Sequence, residues 1–321
     1  MLRRLNALLL FSSFFSVVYY YAQPPAFNSS KNWRKNKKEV VLSFGSTGFL
    51  GELGGRDMIG TEYSLLDLDL KSSAINFGLS YRFRFSPFFA TSTVISYGVI
   101  KGDDALTLEP IRNARNLRFK SPIFSAYQRI EAIVYVKESV GHKFTIKKIK
   151  GKKNHAEQVY LFTGIGLTYF NPKGLYNGAW VPLRPLHTEG QGEPGRPKEY
   201  LPITPIIPFG IGFRTGLDRL WRVGFELTVF KTFTDYMDDV STTGYDTDLL
   251  LEKYGPESAF LSNPALTEEH KGWFSKGQQR GDVKNKDSYI FANVSLIRNI
   301  TYKTARPRRP QLKWKGMRAK F

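Results

Sequence analysis

The sequence predicts an all-β fold: an eight-stranded antiparallel transmembrane β-barrel with long loops on one side. Three observations predict it: segments in which apolar and polar residues alternate, breaks rich in Gly, Pro or Ser between these segments, and connections that alternate between short and long. Side chains of a strand point alternately to its two faces, so each segment has one apolar face and one small or polar face. In a membrane barrel the apolar face contacts lipid and the other face lines the lumen.

The segment 74–85 shows this alternation best. Its apolar face carries Ile75, Phe77, Leu79, Tyr81, Phe83 and Phe85. Its other face carries Ala74, Asn76, Gly78, Ser80, Arg82 and Arg84. A soluble sheet would bury the apolar face under a second layer of protein, whereas a membrane barrel exposes it to lipid.

Eight segments have this character, and each reaches the roughly 9–11 residues that a tilted membrane strand needs. They are residues 39–47, 73–85, 88–100, 122–136, 157–169, 203–215, 220–233 and 287–302. Tight turns join the second strand to the third and the sixth to the seventh. Long links lie at 48–72, 101–121, 170–202 and 234–286, and residues 137–156 are expected to form an extended hairpin. In outer-membrane barrels the short turns are periplasmic.

The N-terminus predicts Sec-type export. Arg3 and Arg4 precede a mostly apolar stretch from Leu5 to Val18, and Ala22 is a small residue suited to cleavage. The alternative is a membrane anchor, for which the stretch is short and contains several polar residues. The chain has no cysteine, which rules out disulfide bonds and a lipoprotein cysteine. We expect the cell outer membrane as the location, with a signal peptide at 1–22, a basic periplasmic segment at 23–38, the barrel at 39–302 and a basic tail at 303–321.

The net charge of +19 is concentrated at one end of the predicted barrel. Residues 31–39 contain five basic residues, residues 137–157 contain seven lysines, and the tail contains eight basic residues and no acid. The loop at 234–287 contains eleven acids and six basic residues. Export argues against a nucleic-acid partner, so the basic end favours docking to an acidic protein or to anionic lipid head groups. The alternative is a solvated basic terminus.

Charged residues on the small-residue faces predict a filled lumen. The residues expected inside are Arg82, Arg84, Arg129, Glu131, Arg214, Arg222 and Glu226. The interior of an eight-stranded barrel is just wide enough to be filled by side chains, so these residues favour an ion-paired plug over a pore. The alternative is that some arginines reach water at the membrane interface.

We find no catalytic constellation, and we expect no cofactor, no metal and no small-molecule substrate. The four histidines, His142, His155, His187 and His270, lie in links without paired ligand spacing. A calcium site at Asp238, Asp239, Asp246 and Asp248 is conceivable because hard oxygen ligands suit Ca²⁺, but the spacing matches no calcium loop.

Three loop segments carry unusual polar residues. The residues concerned are Arg112, Arg115 and Asn116, then Thr188, Glu189 and Gln191, then Tyr236, Asp238 and Asp239. One interpretation is that Arg115 or Arg118 pairs with an acid of the other two segments and orders the loops over the barrel mouth. The other interpretation is a binding platform for a partner.

These segments resemble those of the PorG-like family, outer-membrane barrels of the type IX secretion apparatus of Bacteroidetes. The resemblance covers nearly the whole mature chain and lies in residues 51–55, 114–117, 171–172, 188–191 and 234–241. It implies a structural accessory subunit, not an enzyme. Such proteins associate with a periplasmic ring of a lipoprotein and its partner, PorK and PorN, or GldK and GldN in gliding relatives.

The resemblance and the charge distribution together give a list of candidate contact residues. Besides the loop residues above, it includes Arg306, Arg308, Arg309, Lys313 and Lys315 in the tail. Three other functions remain open: an outer-membrane enzyme acting on lipid, a small passive channel, and a soluble exported barrel. The enzyme requires a serine or a carboxylate near His187 or His270.

Overall fold

The computed structural model describes residues 37–51, 72–107, 110–138, 156–217, 220–282 and 285–300, together with Trp33 and Leu53. The predicted signal peptide, most of the basic segment at 23–38, the hairpin between residues 138 and 156 and the basic tail lie outside the described residues.

The described residues form ten strands and four α-helices. The strands are β1 (Lys38–Leu50), β2 (Ala74–Arg84), β3 (Phe89–Asp103), β4 (Arg118–Glu138), β5 (Ala156–Phe170), β6 (Lys173–Tyr176), β7 (Ala179–Pro182), β8 (Ile203–Gly216), β9 (Trp221–Thr232) and β10 (Ser288–Asn299). The helices are α1 (Pro110–Arg115), α2 (Thr247–Tyr254), α3 (Pro256–Ser262) and α4 (Glu268–Trp273). No helix among these residues is long and apolar enough to cross a membrane.

Eight of the strands close into an antiparallel barrel, which confirms the predicted fold class. They follow the order β3-β2-β1-β10-β9-β8-β5-β4, and β3 pairs with β4 to complete the ring. Each predicted strand is present with ends that differ by a few residues. The register of β4 against β5 shifts between Ile133 and Tyr135, a β-bulge that leaves Val134 and Tyr135 both exposed.

Two short strands that the alternation pattern did not predict, β6 and β7, form a small hairpin beyond the barrel wall. Phe119 and Lys120 of β4 pair with Gly174 and Lys173, so the hairpin extends the wall on the loop side. Its turn, Asn177-Gly178, has positive φ at both residues. This is the two-residue turn that matches strand twist, and Asn-Gly is its strongest sequence signal.

The outer surface of the barrel is an apolar belt. Every barrel strand contributes large apolar side chains that are exposed, as the alternation predicts; examples are Phe44, Leu79, Ile95, Ile130, Ile165, Ile211, Phe225 and Val294. An outward apolar band around a closed antiparallel barrel is the surface that a membrane barrel presents to lipid. The soluble-barrel alternative does not account for this belt.

The two ends of the barrel differ. The turn end carries the connections 85–88 and 217–220, and the loop end carries the links 51–73, 104–117, 171–202 and 233–287. The start of β1 and the end of β10 both lie at the turn end. There the Ile300 N–H donates to Lys38 O at 2.9 Å. The strands that flank residues 139–155 also end there.

A charge in the centre of the apolar belt should block insertion. Leu79→Arg places a guanidinium at the middle of β2, where a basic residue at mid-bilayer costs about 2–4 kcal/mol. We expect much less heat-modifiable, membrane-integrated protein than for the wild type. Leu201→Arg is the control, because Leu201 is exposed outside the strands. Equal assembly of both variants would show that the belt does not face lipid.

Candidate functional site

The turn half of the lumen holds a buried network of charges centred on Glu131. This carboxylate accepts from Arg82 Nε at 2.6 Å and lies 3.2 Å from Arg129 Nη2 and 3.4 Å from Arg214 Nη2. Ser92 Oγ also donates to it, at 2.6 Å. One carboxylate therefore serves three guanidinium groups from three different strands.

Two further carboxylates complete the network. Glu226 accepts hydrogen bonds from both terminal nitrogens of Arg129, at 2.9 and 2.8 Å, and from the Tyr160 hydroxyl. Glu39 pairs with Arg82 at 2.5 Å and with Arg222 at 3.1 Å. Glu39 was predicted as the first residue of the first strand, but its charge was counted with residues 31–39 and it was not placed in the lumen. The signal was present, because Glu39 lies in phase with the lumen face of β1 while Val40 and Leu42 face outward.

All seven side chains that the sequence analysis placed in the lumen are buried. Arg84, nearest the turn end, donates to Ser86 O at 3.1 Å and also to Pro87 O, so it holds the tight turn between β2 and β3. Arg214 donates from Nε to Gln158 Oε1 at 2.7 Å. The structure therefore shows these arginines buried inside the barrel, where they do not reach solvent.

Glycines and aromatic rings give the charges their space. The Arg214 guanidinium lies 4.1 Å from the centre of the Tyr160 ring, and Arg129 lies 4.3 Å from that of Phe162. A Cβ at Gly212 would collide with the Tyr160 ring. The small residue on one strand thus makes room for the ring and the guanidinium of its neighbours.

The loop half of the lumen is aromatic. Phe230 stacks on Tyr289 with ring centres 4.5 Å apart, and it packs edge-on against Phe291 at 4.9 Å and Tyr127 at 5.4 Å. The Tyr289 hydroxyl lies 3.0 Å from Ser125 Oγ, so its polar end is satisfied. The lumen therefore holds a charged layer below an aromatic layer.

Glu189 joins the third long loop to the fourth above this aromatic layer. Its carboxylate accepts backbone N–H groups from Ser241 at 2.9 Å and Thr242 at 3.0 Å, and the Thr242 hydroxyl at 2.6 Å. Arg280 Nη1 lies 3.4 Å from it. The sequence analysis did not single out Arg280, which supplies the cation expected from Arg115 or Arg118.

Asp239 makes the second joint between the same loops. It accepts the Thr188 hydroxyl at 2.6 Å and the Tyr200 hydroxyl at 2.7 Å. Tyr200 stacks between Phe170 of the barrel and Tyr236. The joint is therefore anchored in the aromatic layer of the lumen.

The second long loop is tied to the same layer. Arg115 pairs with Asp104 at 2.8 Å and donates to Arg280 O at 2.7 Å, and Asn116 donates to Pro264 O at 3.0 Å. Arg118 pairs with Asp103 near the surface. We call this joined layer of residues 104–117, 171–202 and 233–287 the loop cap.

The loop cap corrects part of the predicted partner surface. Six of the predicted loop contacts are buried inside it: Arg115, Thr188, Glu189, Gln191, Asp238 and Asp239. They bind other parts of this chain and cannot touch a partner while the cap is closed. Arg112, Asn116 and Tyr236 are partly exposed. The five basic tail positions lie outside the described residues.

Buried carboxyl groups of the cap have raised pKa values. Burial raises the pKa of Asp235 and of Asp239 to about 6, although hydrogen bonds to Ser241 and an attraction to Arg280 partly oppose the shift. Burial also raises the pKa of Asp238 well above its usual range. In the described part of the chain, no group of three or more acids and histidines is arranged to hold a metal ion.

An enzyme would need a serine or a carboxylate beside His187 or His270, and His187 does have a carboxylate beside it. Its Nε2 is 3.1 Å from Glu199, but its Nδ1 is 2.6 Å from Gln191 O. Its ring also stacks on Tyr254 at 4.6 Å. Both nitrogens are engaged, so neither is placed to take a proton from a nucleophile. His270 stacks on Trp273 in α4, and His142 and His155 lie outside the described residues.

Comparison with known proteins gives only remote structural likeness. No protein-family model matches the chain, and no curated protein matches its sequence. Ail, the attachment invasion locus protein of Yersinia pestis, matches 82% of this chain and 99% of its own at 9% identity and a TM-score of 0.31. Neisserial surface protein A matches 81% of this chain and 96% of its own at 8% identity and a TM-score of 0.30. Similarities of this size add nothing to the functional assignment.

Removing the central lumen carboxylate should destabilise the barrel strongly. Glu131→Gln leaves guanidinium groups buried without their shared anion, a loss of about 3–5 kcal/mol for a broken buried ion pair. Urea unfolding in micelles, followed by heat modifiability, measures it. Glu199→Gln is the matched control, since its half-exposed pairs should contribute less than about 1 kcal/mol. A similar midpoint for both variants would contradict a structural role for the network.

The loop cap should open more readily as the pH rises. The pKa of Asp239 is about 6 in the folded cap and 3.8 in an exposed chain. Its contribution to the stability of the cap is therefore complete below pH 4 and is lost as the pH rises through about 6. The loss is on the order of 3 kcal/mol. The raised pKa values of Asp235 and Asp238 also make the cap less stable as the pH rises. Hydrogen exchange of the Ser241 and Thr242 amides, corrected for intrinsic exchange rates, measures how readily the cap opens at each pH. Asp239→Asn should reduce the pH dependence, and an unchanged profile would contradict the assignment.

Proposed function

We propose that this protein is a structural subunit of the outer membrane, a plugged barrel that anchors and aligns a periplasmic assembly. The observation that carries the proposal is the filled lumen. Its turn half is occupied by the network around Glu131, and its loop half by the aromatic layer around Phe230. A barrel with this interior offers a stable position in the membrane and no wide path through it.

The lumen argues against the passive channel. Water-filled porins have 16–18 strands, whereas an eight-stranded barrel has an interior that side chains can fill. Here the guanidinium groups lie between paired carboxylates and aromatic faces. The loop cap, joined by Glu189 and Asp239, also covers the mouth. An ion would have to displace both layers to pass.

The turn end is the better surface for a partner. Residues 37 and 300 both lie there, so the basic chain on either side of the described barrel starts from this end. The lysine-rich link 139–155 joins two strands at the same end. With short turns facing the periplasm, as in outer-membrane barrels, these basic segments would start on the periplasmic side. Concentrated positive charge favours association with an acidic surface.

The finer assignment is an accessory subunit of type IX secretion, shared in some relatives with gliding. It rests on the resemblance to PorG-like proteins at residues 188–191 and 234–241. The structure gives those segments a physical role, since they build the joints of the loop cap. The partner would be the ring lipoprotein of PorK or GldK type with its PorN- or GldN-type companion. Outer-membrane lipid would surround the apolar belt.

Charge reversal in the tail tests the proposal. Changing Arg306, Arg308, Arg309, Lys313 and Lys315 to Glu should reduce recovery of the ring proteins in mild-detergent pull-downs by about tenfold or more, because attraction to an acidic partner becomes repulsion. The barrel should stay folded and heat-modifiable. Quantitative mass spectrometry of the co-purified proteins gives the measurement.

A matched control reverses charge at the loop end, using the exposed residues Lys198, Lys253, Lys271 and Lys276. This variant should retain the ring proteins. Full retention by the tail variant would contradict docking through the tail, and the absence of ring proteins from the wild-type sample would contradict the secretion assignment itself.

A further inference from the structure

A cavity of about 210 Å³ lies in the loop cap, apart from the lumen and from the turn end. It is lined by residues of all four long links, including Leu53 of the first, and by the first residues of β4. Neither the filling of the barrel nor docking at the turn end requires it.

Two buried polar side chains, an acid and an arginine, line the cavity and have unused hydrogen-bonding atoms. Asp238 is 1% exposed and Arg280 is 4% exposed. Asp238 Oδ1 accepts from Val240 N–H at 3.1 Å, but Oδ2 has no hydrogen-bond partner among the described residues. Arg280 donates from both terminal nitrogens, to Thr188 and to Leu261 O. Its Nε has no hydrogen-bond partner among the described residues. The residues that line the cavity thus include one buried carboxyl oxygen and one buried guanidinium N–H without partners among the described residues.

The other walls are apolar. They include Leu117, Phe119, Leu183, Val240 and Leu261. Phe260 also lines the cavity and is 47% exposed, and the Arg118 side chain is 43% exposed. These two residues mark where the cavity reaches the surface of the cap. A ligand therefore meets apolar walls around one acid and one arginine.

We propose that this cavity binds an amide that carries an aliphatic or aromatic group, as in a hydrophobic residue of a peptide. The amide carbonyl accepts from Arg280 Nε, and the amide N–H donates to Asp238 Oδ2. The apolar group lies against the leucine and phenylalanine walls. Ligands without an amide leave buried polar atoms unpaired, which is how such a site selects. The alternative content is water, and the cavity is large enough to hold several molecules.

Saturation-transfer NMR on the full-length protein in nanodiscs tests the proposal. The probe is N-acetyl-leucinamide, and N-acetyl-glycinamide is the matched probe without an apolar group. We expect the leucine probe to bind and the glycine probe to bind about tenfold or more weakly, because an isobutyl group gains from burial. The peptide N-acetyl-Ala-Leu-Ala-amide separates the two sources: tighter binding than the leucine probe points to a peptide segment, and equal or weaker binding points to a small free amide.

Variants locate the binding. Leu175→Trp fills the cavity from a partly exposed wall position, and Asp238→Asn keeps an acceptor for Val240 while replacing the free acceptor with a donor. Each should weaken the leucine probe about tenfold. Leu251→Trp, on the exposed face of α2, should not. Absence of binding to the wild type at millimolar probe, or equal binding by all variants, would overturn the proposal and leave water as the content. Neither outcome bears on whether the turn end docks the ring proteins, which the pull-down of the tail variant tests separately.

Discussion

A closed barrel in a bilayer has one interior, the lumen, and every polar group in it must be satisfied by the barrel itself. The charged layer meets most of this demand by sharing: Glu131 serves three arginines, and Arg82 lies between Glu131 and Glu39. Arg82 Nη2 and Arg129 Nε have no hydrogen-bond partner among the described residues. Shared buried pairs are costly to break, because each member that is lost leaves an uncompensated charge. The glycine faces, the rings of Tyr160 and Phe162 and the strand register all serve to fit this network into the barrel.

The barrel could be predicted because its signal is local. Alternation along a strand needs only the strand itself, so the strands and the facing of the lumen charges follow from the sequence. Glu39 could have been found in the same way. It was missed because its neighbours Lys35, Lys37 and Lys38 made it look like part of a basic terminus. The face on which a residue lies is better evidence for its place than the charge of the residues beside it.

The loop cap could not be predicted to the same depth because its contacts are distant in sequence. Arg280 meets Thr188 across 92 positions, and nothing in the alternation pattern links the two. The unusual polar residues of the three loops were recognised, but their burial was not, since a buried joint and an exposed binding platform need the same kinds of side chain. The β6–β7 hairpin was different, because Asn177-Gly178 was a usable local signal.

The layers of the molecule separate the functions of its two ends. The aromatic layer and the joints at Glu189 and Asp239 close the loop end, while the basic chain segments leave from the turn end. The charged layer between them is held by shared ion pairs. Under the function and the inference proposed above, such a molecule is a fixed point: its turn end would position a partner, and its loop end would bind a ligand independently.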